Sequence, residues 1–249
     1  MALAVLGAAF LLRAIGDTAT GLSFGVIAQD MVQFARDDPE TAKMLTTLGG
    51  SGSITDIYLA AVLSRIGMLA AGYAVQATLR LRAEEAEQRA EPVLATTASR
   101  TGWAASHLLV AAGGAAVVLT TGGVLAGLAH GLRSGDVGGQ LVRVLAGALV
   151  QVPAVWVMAA VGAALFGLAP RLVVGATWAI LAVVLSITLF GQPLRLGRWV
   201  QDLSPFAHLP RLPAAAFTAT PLAWLLVVTA LLAAAGLAAF RRRDLASGA

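Results

Sequence analysis

A chain of 249 residues that is 58% hydrophobic and 12% charged, with a mean hydropathy of +0.82, is not a water-soluble domain, in which about a quarter of residues carry charge. The net charge of +4 does not point to nucleic acid, because the arginines are spread over the segments between apolar runs and read as anchors at anionic headgroups. Cysteine is absent, which excludes disulfides and thiolate chemistry.

Runs of about 20 apolar residues, enough to cross a bilayer core as a helix, recur along the chain. They predict an all-α fold, a polytopic transmembrane helix bundle of about six spans in a single transmembrane domain over 1–249. The first span is placed at 2–27. MALAVLGAAFLL has no basic residue before its apolar core, and Arg13 follows that core, so the segment reads as an uncleaved span. Arg13 and Asp17, four apart, share a helix face and can pair. Either the pair faces other helices or the chain breaks near 16–21. Next, Asp38-Pro39-Glu40 starts a helix that ends at Gly49-Gly50. Its Met44, Leu45 and Leu48 would lie on the membrane surface.

Span 2 covers 57–79. It contains Arg65, whose charge is costly in lipid and should point inward or snorkel. The loop 80–102 follows, with four of the chain's five glutamates. Arg80 and Arg82 close the span at the headgroups. Glu84 to Glu91 is rich in helix formers, Glu85 and Arg89 stand at i, i+4, and Pro92 stops this short helix. Val93 and Leu94 make an apolar tip. A connector needs about four residues; about twenty suggest a docking element for a cytoplasmic partner.

Span 3 covers 103–132. Gly123, Gly127 and Gly131 line one of its faces and allow close backbone approach, for intramolecular helix packing or a subunit interface. His107 and His130 stand near its two ends and read as headgroup-level or packing residues. Span 4 covers 144–168 and holds Gln151 and Pro153. Pro153 frees a carbonyl one turn back and can kink the helix. Gln151 could hydrogen-bond within the bundle, and Arg65, Gln151 and Pro153 are candidates for a translocation path.

Span 5 covers 172–190 and span 6 covers 222–240. Between them, Leu196, Trp199, Val200 and Leu203 follow i, i+3, i+4, i+7 spacing. With Trp199 and Phe206 suited to an interface, this predicts a short helix in the headgroup plane on the outer side. Placing 80–102 inside puts eight basic residues on inner segments about half as long as the outer ones, which hold seven. Arg241, Arg242 and Arg243 directly abut span 6. Both termini are therefore placed in the cytoplasm of a multi-pass cell-membrane protein.

Catalytic motifs are missing. Lys43, the only lysine, lies between Ala42 and Met44, so there is no G-x-x-x-x-G-K-[ST] phosphate loop. There is also no H-E-x-x-H, no Cys/His ligand cluster and no nucleophile elbow. The chain is not read as an enzyme, and no metal or cofactor is expected in it.

Two blocks carry a family resemblance. RAEEAEQRAEPVLATTASR with the following WAASHLLVA, and DLSPFAHLPRLP with the closing GLAAFRRRDL, resemble permeases of the ABC-2 exporter type. The similarity extends over 21–245 and is strongest to the second half of actinobacterial exporters of polyketide antibiotics. The resemblance implies a permease subunit of an ATP-binding-cassette exporter that moves hydrophobic compounds, antibiotics among them. ATP would be bound and hydrolysed by a partner ABC ATPase subunit. It gives Glu84, Glu85, Glu87, Arg89, Glu91 and Pro92 a role in contacting that ATPase. The expected partners are the ATPase, a second permease half or copy, the lipid bilayer and a hydrophobic small molecule, with no nucleic acid. Members of the group are about twice as long, and LAVLGAAFLLRAIGDTA resembles a stretch near the end of their first half. The expectation is a half-permease; the alternative is a non-transporting membrane interaction protein or a truncated remnant of a longer permease.

Overall fold

The computed structural model describes residues 53–86 and 100–242. The expected span over 2–27, with Arg13 and Asp17, and the helix starting at Asp38 lie outside the described residues. Among the described residues, all regular structure is helical: α1 (Ile54–Ala86), α2 (Arg100–Ser134), α3 (Val137–Leu149), α4 (Val152–Leu168), α5 (Val173–Phe190), α6 (Arg198–Gln201), a 3-10 turn (Pro205–His208) and α7 (Ala219–Arg242). Among the described residues, five stretches are long and apolar enough to cross a membrane: Thr55–Glu85, Thr101–Ser134, Val137–Leu168, Val173–Phe190 and Ala219–Arg242. The chain is an all-α, multi-pass membrane protein. Five threonine hydroxyls within these spans are satisfied inside their own helix: Thr78, Thr120, Thr177, Thr188 and Thr229 each donate to the carbonyl four residues back. This is the arrangement lipid favours, since no water is available there as a partner.

Three expected boundaries move, each for a physical reason. Span 2 does not close at Arg80: α1 continues to Ala86. LRLRAEEA contains only good helix formers, and nothing stops the helix at the headgroups. Glu84 and Glu85 therefore stand on the last turn of α1, not on a separate helix. The outer loop expected over 133–143 shrinks to Gly135 and Asp136. Gly135 has φ +78°, a conformation glycine enters without steric penalty. Asp136 then caps α3, its side chain accepting from the Gly139 N–H at 3.0 Å. The headgroup helix expected across 196–203 is a single turn, α6, in which Trp199 is 74% exposed. Phe206, expected at the interface, is buried at 6% exposure, because the turn at Ser204-Pro205 tucks its ring inward. That turn is held by a 2.7 Å hydrogen bond between the Thr188 and Ser204 hydroxyls.

The contacts divide the chain into two compact units. Among the described residues, the first comprises 53–69, 116–152 and 209–219. Val62, Leu63 and Ile66 of α1, Leu119 and Ala126 of α2, and Val144 and Ala148 of α3 are buried within it. Gly147 has no room for a side chain, since a Cβ there would lie 2.7 Å from Leu63 Cδ1 and 2.9 Å from the Leu212 carbonyl oxygen.

The second unit comprises 70–86, 100–115, 153–208 and 220–242. Its core gathers Leu81, Trp103, Ala104, Phe166, Val173 and Phe240 from five helices. Trp156 donates its indole N–H to the Ala112 carbonyl at 3.1 Å. The Tyr73 hydroxyl rests on Gly114. Helices α4 and α7 meet backbone to backbone, with Gly167 against the Gly236 carbonyl.

Candidate functional site

The charged loop end of α1 and α2 belongs to the second unit. Glu84 Oε2 lies 3.2 Å from His107 Nε2, and Glu85 Oε2 lies 3.4 Å from Arg82 Nη1. The His107 ring meets Trp103 edge-on, with centroids 5.0 Å apart. Trp103 packs against Phe240 at 6.3 Å, and Phe240 against Phe166 at 5.1 Å. The root of the loop is thus a layer of polar side-chain contacts resting on an aromatic layer. Both partners of the Glu84–His107 contact are about three-quarters buried, which limits screening of the contact. Glu87, Arg89, Glu91 and Pro92, with the Glu85–Arg89 pair, lie outside the described residues.

The glycine face of α2 packs on α3 within the first unit. A Cβ on Gly131 would lie 2.7 Å from Val137 Cα, one on Gly127 3.0 Å from Leu141 Cα, and one on Gly123 2.6 Å from Ala148 Cβ. Steps of four on α2 meet Val137, Leu141 and Leu145 on α3, also four apart and running the other way, an antiparallel hairpin closed by the two-residue turn. The seam that left packing and subunit contact open is therefore occupied from within the same chain.

Arg65 and Gln151 belong to the first unit and Pro153 to the second. Gln151 is buried at 6% exposure with its side chain against Gly67 of α1; its Oε1 lacks a hydrogen-bond partner. Arg65 is two residues from Gly67, about 200° around the helix, and is exposed. Pro153 is buried at the start of α4, and the helical pattern is interrupted at Val150 and Gln151 just before it. The Gln151 N–H there reaches back three residues to Ala148 at 3.1 Å.

Two contacts escaped sequence reasoning. One is Glu84–His107. It would have been legible had α1 been allowed to run past its arginines, because Glu84 and His107 then sit near the facing ends of two consecutive spans. The other joins Asp56 of α1 to Arg143 of α3 at 3.0 Å. His130, buried at 5% exposure, lies within electrostatic reach of both, and its Nδ1 has no hydrogen-bond partner. No local signal links positions 87 residues apart. Among the described residues, no cluster of His, Cys, Asp and Glu could hold a metal ion.

A family model described as the multidrug efflux system permease Rv1217c, C-terminal domain, matches residues 1–241. The chain belongs to this family. The multidrug efflux system permease protein Rv1217c of Mycobacterium tuberculosis (strain ATCC 25618 / H37Rv) is 44% identical over 234 residues, which are 94% of this chain and 42% of that protein. The chain spans less than half the length of this curated relative. The expectation of an ABC-type permease C-terminal half, drawn from the two motif blocks, agrees with the family.

Proposed function

We propose that the chain is the C-terminal membrane half of a multidrug efflux permease that moves hydrophobic compounds, antibiotics among them, out across the cell membrane. The observation that carries this reading is the 44% identity to a multidrug efflux permease over nearly the whole of this chain. In this reading 1–249 forms one transmembrane domain with both termini in the cytoplasm. A separate ABC ATPase binds and hydrolyses ATP, and a second permease half completes the path. The loop 80–102 receives the ATPase, with Glu87, Arg89, Glu91 and Pro92 contacting it and Glu84 and Glu85 at the end of α1. Arg65, on an exposed face of α1, is the path residue this reading favours; Gln151 and Pro153 shape the break between α3 and α4.

The test is drug accumulation in cells carrying the chain with its ATPase and complementary half, against cells lacking only this chain. Lower accumulation with the chain present is expected. Equal accumulation beside an active ATPase would overturn the transporter reading in favour of a non-transporting membrane interaction protein. Glu87→Lys with Glu91→Lys is expected to abolish copurification of the ATPase and leave membrane insertion intact.

A further inference from the structure

We propose that Glu84 and His107 form a strut that carries ATP-driven force from the loop into the helices, so that Glu84 is a positioning residue and not a docking acid. The inference rests on the proposed coupling role of 80–102 and deepens it. Three observations support it. The Glu84 carboxylate already faces inward at 3.2 Å from His107 Nε2 and is about three-quarters buried, so a partner protein's cation would have to displace an existing contact. His107 is backed edge-on by Trp103, which is itself buried against Phe240 of α7. Finally, α1 is unbroken helix from Ile54 to Ala86, so a push beyond Ala86 acts on the turn that holds Glu84. The Glu84–His107 contact passes that load sideways to α2, and the aromatic layer passes it on to α7 and, through Phe166, to α4. Leu81 keeps α1 in the core it shares with Trp103; without the Glu84–His107 contact, the turn beyond Leu81 passes less of its movement to α2, and docking is less well converted into transport.

The first experiment needs no ATPase. The sequence has no cysteine, so Glu84→Cys with His107→Cys can be cross-linked in membranes by a short bifunctional thiol reagent. A protease site inserted between Ala86 and Arg100 supplies the readout. The fragments should stay joined after cleavage; fragments that separate would overturn the contact and the strut together.

The second experiment compares Glu84→Gln and His107→Ala with wild type in the assembled transporter. Both are expected to copurify with the ATPase at the wild-type level while drug moved per ATP hydrolysed falls about tenfold, within the ordinary range for coupling between two sites. The exchange Glu84→His with His107→Glu should recover at least half of that loss, which a merely structural role would not predict. If Glu84→Gln removes copurification as completely as Glu87→Lys with Glu91→Lys does, Glu84 is a docking acid and the strut is wrong. Unchanged drug per ATP in both single variants also defeats it. A wild-type chain that captures no ATPase defeats the coupling reading itself, and the transmission role falls with it; the cross-link still reports whether the contact exists.

Discussion

The two ends of α2 are held by opposite means. At one, Gly123, Gly127 and Gly131 let α3 approach until a side chain would strike its backbone. At the other, Trp103 and His107 reach out to Phe240 and Glu84 through large rings and a charge contact. Lipid tails are as apolar as leucine, so packing of one helix on another within the bilayer rests on close fit and polar contacts. The glycine end maximises contact between backbones and tolerates almost no change of shape. The aromatic end places its contacts at the tips of side chains, which can shift, and it lies where force is proposed to enter.

Substitutions can break or sharpen this contrast. The largest effect is expected from Phe240→Ala, which empties a site 2% exposed and should cost about 3–5 kcal/mol, read as a lower detergent-unfolding midpoint with near-ultraviolet change at Trp103. Gly131→Val comes next. Its Cβ would meet Val137 Cα at 2.7 Å, and overpacking of that kind costs about 1–3 kcal/mol. A loss at Gly131 as small as at an open glycine would show that the seam is slack. Asp136→Ala removes the cap that starts α3 and should cost about 1 kcal/mol, measurable as faster amide exchange at Gly139. The smallest effect belongs to Gly113→Ala on the same helix as the seam. Nothing lies within 4 Å of a Cβ there, so the higher helix propensity of alanine should stabilise by up to about 1 kcal/mol. Destabilisation at Gly113 would mean that spacing along α2, and not the partner each glycine meets, sets the cost.

The loop and the seam also differ in how far each could be read in advance. The four-residue glycine spacing announces a close contact by itself, because glycine has no other reason to recur on one helix face in a membrane. Its partner was not announced. The stretch supplying it, GDVGGQLVRVL, looked like a loop because its glycines and arginine dilute the apolar signal. For Glu84 the reverse held. Its charge drew attention to it, but its contact was obscured by the assumption that arginines at the headgroups end a span. Phe206 was misplaced because an aromatic ring suits the interface and the core equally well, and only the turn around Ser204 decides between them.

What the sequence alone determined is what depends on the chain's local chemistry. Apolar runs of spanning length set the five described membrane helices, and two motif blocks identified the permease half. The tertiary structure decided which face of each helix meets which neighbour: α3 on the glycine seam, His107 on Glu84, Arg143 on Asp56, Gln151 on Gly67. In water, hydropathy marks the buried face of a helix. In a bilayer both the lipid-facing and the packed faces are apolar, so that mark is lost, and only the fit of one helix against another identifies its partner.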